Sequence, residues 1–275
     1  KNASDFKNPK GIKRNYVGRF VPSGTGHLTI DGVEIEAGYW PLAEGIRANE
    51  KENRYEIIAA EGLTSFGKLV NEAGMSFNKE TILLTVDVDL KNAVWTPVGQ
   101  TGATTFNGVF DGQNHTISNL NVNSESQTGA NYSSGLFGWV ESHTAGHGHI
   151  KNVKISGATV TGHHNCGALV GYITQETALV ENCHVTGATI SCTYANGDAD
   201  GDKAGALIGN ATVATPVKNC TAANSTVSAG RDAGQVIGAG KEANATGCSA
   251  TDVAVSANGT STGKNVRNEV IGRLL

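Results

Sequence analysis

Ile150-Lys-Asn152-Val-Lys-Ile155, followed by Gly167-Ala-Leu-Val-Gly171, is the stretch on which the fold turns. Its first block recurs as Ile117-Ser-Asn119-Leu-Asn-Val122, as Val180-Glu-Asn182-Cys-His-Val185 and as Val217-Lys-Asn219-Cys220, with a degenerate Ala245-Thr-Gly247-Cys248. The second block recurs as Gly135-Leu-Phe-Gly138, Gly205-Ala-Leu-Ile-Gly209 and Gly234-Gln-Val-Ile-Gly238, and weakly as Glu269-Val-Ile-Gly272. One unit holds about 30 residues, a period typical of repeat architectures. Each unit carries short strand-like pieces, such as Val153–Ile155, Ala158–Val160 and Ala168–Gly171, and no helical pattern of three turns. That disfavours solenoids built from helix pairs or strand–helix units. The reading is all-β: a right-handed parallel β-helix (β-solenoid) of about five coils, with three strands per coil around a triangular core.

A coil cannot bury its apolar face alone, but stacking sets equivalent positions about 4.8 Å apart. The alignment therefore places Asn119, Asn152, Asn182 and Asn219 in one row at a bend, where side-chain amides bond along the row. It places Leu120, Val153, Cys183, Cys220 and Cys248 in one inward ladder. Ala168 and Leu169, Ala206 and Leu207, and Val236 belong to another wall. Glycine at the corners is expected to supply positive φ. A β-sandwich is the competing fold, but it has no reason to repeat residue types at this period.

Composition agrees. Among 275 residues there are 36 Gly and 5 Pro, with 39% hydrophobic, 6% aromatic and 17% charged residues and a net charge of −4. Disorder, collagen and long-helix classes are excluded. Acidic residues (25) outnumber basic ones (21) and no basic stripe appears, so nucleic acid is not an expected partner. No apolar run is long enough for a transmembrane helix.

Outside the repeat, residues 62–74 read as an amphipathic helix with Leu63, Phe66, Leu69, Val70 and Ala73 on one face and Gly74 as its terminator. Such a helix would cap the open end of the first coil. Thr81–Leu90 reads as a strand. His27–Glu36 reads as a hairpin around Asp31-Gly32, and Ala43–Arg54 as a polar, helix-compatible linker. The chain thus divides into an N-terminal extension, residues 1–56, and a repeat domain with its cap, residues 57–275.

The blocks Phe77-Asn-Lys-Glu-Thr-Ile-Leu-Leu-Thr-Val-Asp87-Val-Asp89-Leu, Trp95-Thr-Pro-Val-Gly99, Phe106-Asn-Gly-Val-Phe110-Asp111-Gly112-Gln-Asn-His115-Thr-Ile and Gly135-Leu-Phe-Gly138 carry a family resemblance. In that order they resemble the GLUG-repeat proteins, over about residues 57–275. The motif occurs in bacterial surface proteins and beside the catalytic part of immunoglobulin A1-specific metallopeptidases. The resemblance implies a secreted or cell-surface, adhesin-like β-solenoid, reached after removal of a signal sequence absent from this chain. It does not carry proteolysis over. Those metallopeptidases need His-Glu-x-x-His, two zinc ligands one helical turn apart with Glu as the base, and this sequence has none. The chain is therefore read as no enzyme.

The remaining chemistry is sparse. Five cysteines, Cys166, Cys183, Cys192, Cys220 and Cys248, contain no C-x-x-C. A buried ladder of small apolar groups is the first reading, with inter-coil disulfides as the alternative. His143, His147, His149 and the His163-His164 pair have a metal-like composition but fall on different corners. Asn196, Asp198, Asp200 and Gly201 match positions 1, 3, 5 and 6 of a calcium loop beginning at Asn196, and Asp202 follows them as a fourth candidate ligand. Position 12 is Leu207, which has no ligating group, so calcium is only a partial candidate and no other cofactor is expected. Asp87 and Asp89 read as turn caps. Trp40, Trp95 and Trp139 are candidates for stacking on sugars, with packing the stronger reading for Trp95. The function expected is a non-catalytic, monomeric surface module that displays loops to a host or matrix protein or glycan. Two alternatives stand beside it: an accessory domain of a larger immunoglobulin A1 protease-like protein, and a β-helical glycan-degrading enzyme. The enzyme would need paired carboxylates on one groove.

Overall fold

The computed structural model describes residues 28–30, 33–35, 39–49, 52, 54–126, 132–142, 147–174, 177–193, 203–212, 215–241, 245–257 and 265–275, with side chains from Leu42 onward. The chain is a parallel β-solenoid. Five strand segments per coil, rather than three, define four walls. Wall A runs Thr81–Leu84, Val109–Asp111, His149–Lys151, Leu179–Glu181, Val217–Lys218 and Ala245–Thr246, all in parallel register. Wall B carries two segments per coil, which fuse in the nine-residue strands Thr221–Ala229 and Ser249–Ala257. Wall C stacks Ser133–Ser134, Asn165–Cys166, Lys203–Gly205, Asp232–Gly234 and Asn265–Val266. Wall D stacks Phe137–Val140, Val170–Ile173, Ile208–Ala211, Ile237–Gly240 and Ile271–Leu274.

The core is a set of in-register apolar ladders. One runs Phe110, Ile150, Val180, Val217, Ala245, another Val122, Val160, Ile190, Val227, Val255. Side chains shrink toward the C-terminal end of the first ladder but not of the second. At the N-terminal end, helix α1 (Ala60–Asn71) lays Gly62, Leu63, Phe66, Gly67 and Val70 over the first coil. Phe66 sits among Phe77, Phe106, Phe110 and Phe137 with ring centroids 5.3–6.2 Å apart. Four aromatic neighbours around one ring make the plug worth more than its area alone. The expected cap is present, but α1 begins two residues earlier than residue 62. Leu69 is half-buried and Ala73 exposed, so the buried stripe is narrower than expected. Gly74 does take φ +67 just beyond the helix.

Three further expectations change. Thr81–Leu90 is two strands, Thr81–Leu84 and Val88–Asp89, belonging to walls A and B. Ala43–Arg54 is not a linker: Tyr39–Ala43, Ile46–Asn49 and Arg54–Ile57 form an antiparallel meander whose last strand pairs in parallel with Thr81–Leu84. The strands Leu28–Ile30 and Val33–Ile35 do pair as a hairpin. The glycines of the second block do not supply positive φ. They let walls C and D press backbone on backbone: a Cβ on Gly171 would lie 2.6 Å from Ser134 N, and one on Gly209 2.5 Å from Cys166 N. Positive φ occurs elsewhere, at Gly157, Gly187 and Gly247.

Candidate functional site

The asparagine row is real but holds three of the four expected members. Asn152, Asn182 and Asn219 all sit in the left-handed region, with φ 56°, 51° and 53°, and Gly247 continues them at 67°. Asn182 Nδ2 donates to Asn152 Oδ1 at 3.3 Å, and Asn152 Nδ2 donates to Asp111 Oδ1 at 2.9 Å. Asn119 stands one corner further on. Ile117 aligns with Ile155, not with Ile150, so Asn119 stacks with Gly157 and its backbone N–H donates to Ser156 O. Asn119 Nδ2 instead meets Asp89 Oδ1 at 2.8 Å. Leu120 moves with it, away from Val153 and into the row of Ala158, where Thr159 N–H donates to Leu120 O. The two corners share an Asn-plus-apolar pattern because each needs a left-handed residue before a core side chain, and that degeneracy caused the slip.

Asp87 and Asp89 act as turn caps. Asp87 Oδ1 accepts from Thr116 N–H at 2.8 Å and lies 3.0 Å from His115 Nδ1. Those bonds hold its carboxyl below the usual range. Asp89 Oδ1 accepts from Asn119 Nδ2 and Lys91 N–H, which lower its pKa in the same way.

Cys183, Cys220 and Cys248 stack on successive coils, following the register of Val180, Val217 and Ala245. All five cysteines are free thiols. Cys183 Sγ and Cys220 Sγ each lie 3.2 Å from a carbonyl two residues back, Glu181 O and Lys218 O. The hydrogen bond with Cys183, reinforced by burial, pushes Cys220 up to about 12. The bond with Cys220 and burial likewise push Cys248 up. Thiols so shifted are poor nucleophiles and poor metal ligands.

The other candidates do not converge. Asn196, Asp198, Asp200 and Asp202 lie outside the described residues, as does His143. His149 Nε2 faces Thr177 O on wall A, and burial lowers its pKa. His163 Nε2 bonds Glu125 O beyond wall B. No group of three His, Cys, Asp or Glu side chains able to hold a metal exists among the described residues. Trp95 is a packing residue: it is buried and donates Nε1 to Leu136 O at 3.0 Å. Trp40 lies on the strand Tyr39–Ala43, and its side chain is outside the described set. Trp139 is half-exposed on wall D and meets Tyr172 of the next coil edge-on, with centroids 4.5 Å apart.

Two features escaped sequence reasoning. A groove of about 670 Å³ runs between α1 and residues 89–100, with Glu61, Lys68, Glu72, Asp89 and Lys91 among its lining residues. It arises because Asn71 ties α1 to the first coil, donating to Pro97 O at 2.9 Å and accepting from Gly99 N–H at 2.9 Å. The second is a buried polar row on wall C: Ser133, Asn165, Lys203, Asp232 and Asn265 occupy one register position. Its signal was in the repeat, as a polar residue two places before Gly135, Gly167, Gly205 and Gly234.

The connections into wall C also follow a pattern. Residues 124–132, 193–202 and 258–264 alternate along the stack with the two-residue connections 163–164 and 230–231. Every second coil therefore has a connection of seven to ten residues at the same corner.

No family model matches the chain. It is 27% identical over 191 residues to halomucin of Haloquadratum walsbyi, an alignment covering 66% of this chain, which spans about 2% of halomucin's length. It is also similar to the crystal structure of a protein from Bacteroides ovatus provisionally named an immunoglobulin A1 protease, with a TM-score of 0.47 and 17% identity, covering 75% of this chain and 77% of that one.

Proposed function

We propose that the chain is a non-catalytic, extracellular or cell-surface binding module. In this reading the connections 124–132, 193–202 and 258–264, which join strands at one corner of the solenoid, recognise a host or matrix protein or glycan. The observation that carries it is the alternation of long and two-residue connections into wall C. A stack of coils contacts only its neighbours, so excursions at one corner change binding without changing the core. The short connections at 163–164 and 230–231 show that a coil closes without a long excursion. No helix among the described residues is long and apolar enough to cross a membrane. Similarity to a small part of halomucin supports the further reading that such a module works inside a larger surface protein.

The test replaces residues 193–202 by the Gly230-Arg231 connection and screens both proteins on arrays of matrix proteins, host glycoproteins and glycans. The expected result is unchanged thermal unfolding and loss of a ligand bound by the parent. Binding that survives replacement of all three long connections overturns the reading. Product release from a polysaccharide panel would establish the enzymatic alternative instead.

A further inference from the structure

The first turn of chain beside α1 has an edge that the fold leaves partly open. Residues 88–98 pair with the next coil through Val88–Asp89 and through the parallel bridges Val94–Asn121 and Val98–Phe137. Trp95 N–H donates to Asn121 O at 2.8 Å. In a parallel ladder, the bridged residue beside such a donor turns its own N–H and C=O to the opposite side. Val94 therefore aims both groups away from the next coil. Neither has a hydrogen-bond partner among the described residues, and Val94 is 74% exposed. A few residues on, the same edge is filled. Asn71 of α1 donates Nδ2 to Pro97 O and accepts Gly99 N–H at Oδ1, both at 2.9 Å. A carboxamide is chemically a peptide group, so Asn71 supplies the donor and acceptor that a neighbouring strand would supply.

We propose that the groove between α1 and residues 89–100 binds an extended peptide, which adds to this edge at Val94 as one more strand. An unpaired strand edge is a template for such addition, and the main-chain bonds supply affinity. The groove, about 670 Å³, has the size of a ligand site. Among its lining residues Gly67 and Trp95 are buried and Leu90 is half-buried, which gives it an apolar floor. At Gly67 the helix brings no side chain into the groove. The twelve residues of α1 span about 18 Å, the length of about five extended residues. Strand side chains alternate between faces, so the guest lays every second side chain on the floor. Glu61, Lys68 and Lys91 are exposed along the groove and carry both signs of charge, so no net charge is selected. The site is separate from the connections into wall C and stands whether or not they bind.

The test selects a phage-displayed random peptide library on the full chain and titrates the enriched sequences, as end-blocked synthetic peptides, by calorimetry. The parent is expected to bind them. Val94→Pro removes the N–H offered to the guest but keeps the ladder, since proline is accepted on a strand edge whose N–H faces outward. It is expected to raise Kd about tenfold, the worth of one hydrogen bond. Thr64→Trp, at an exposed α1 position lining the groove, is expected to abolish binding and to leave thermal unfolding unchanged. Each peptide is also made N-methylated at alternate residues, in both phases. Binding is expected to be lost in one phase and kept in the other, because only one set of N–H groups faces the edge. Equal binding by both methylated forms overturns the proposal, and so does peptide binding that survives Thr64→Trp. Failure of the library to yield a binder overturns it as well. An oligosaccharide panel run in parallel would then report whether the groove takes a sugar instead.

Discussion

At the scale of the residue, a left-handed backbone at Asn182 is the feature most open to test. An ordinary side chain costs about 1–2 kcal/mol in that region, whereas glycine and asparagine enter it readily. Asn182 also donates to Asn152 Oδ1. Asn182→Ala is therefore expected to lower stability by about 2 kcal/mol, and Asn182→Gly by clearly less, as Gly247 stands in the same row. Urea unfolding of both variants checks this. Close approach makes the opposite demand at Gly209, whose added Cβ would meet Cys166 N at 2.5 Å. Gly209→Ala is expected to cost about 3 kcal/mol or to prevent folding, since backbone cannot yield as a side-chain tip can. Both residue types were visible in the repeat. Which glycine serves conformation and which serves contact was not, because a one-dimensional pattern does not say which walls touch.

At the scale of the element, the N-terminal meander and the thiol ladder each have a chemical signature. Glu56 is buried on the strand Arg54–Ile57 and is held by Asn49 Nδ2 at 2.7 Å and by Arg47 and Arg54. Burial alone would raise its pKa, but these bonds outweigh it and hold the carboxyl below the usual range. A lowered folded pKa gives stability that is present above the unfolded value and lost as pH falls through the folded one. Acid unfolding of the parent should therefore steepen below pH 4.5, and Glu56→Gln should flatten that slope while lowering stability at pH 7. Equilibrium unfolding across pH 3–7 (about the range where carboxylates titrate) measures it. A slope unchanged in Glu56→Gln would remove Glu56 as its source. For the thiols, Cys220 pushed up to about 12 implies almost no thiolate at neutral pH. Native protein is expected to resist a thiol reagent at pH 8, and denatured protein to titrate all five cysteines, as absorbance at completion reports.

At the scale of the whole molecule, the two ends of the stack differ. The N-terminal end is closed by α1 and its phenylalanine cluster. The opposite end presents the small ladder members Ala245 and Ala250, with Leu274 and Leu275 among the exposed large apolar residues. Solenoid coils couple chiefly to their neighbours, so stability should be graded along the axis. Hydrogen exchange is expected to be slowest in the strands Val109–Asp111 and Phe137–Val140 and fastest in Ser249–Ala257. Uniform protection along the stack would contradict a graded solenoid. The sequence by itself determined the solenoid, its period, the presence of a helical cap and the thiol row, because each arises from a residue type recurring at a fixed interval. Tertiary structure alone decided the register at Asn119, the five segments per coil and the purpose of the repeated glycines. Those depend on which backbones touch across the coil, and contact between distant segments leaves no period of its own in the chain.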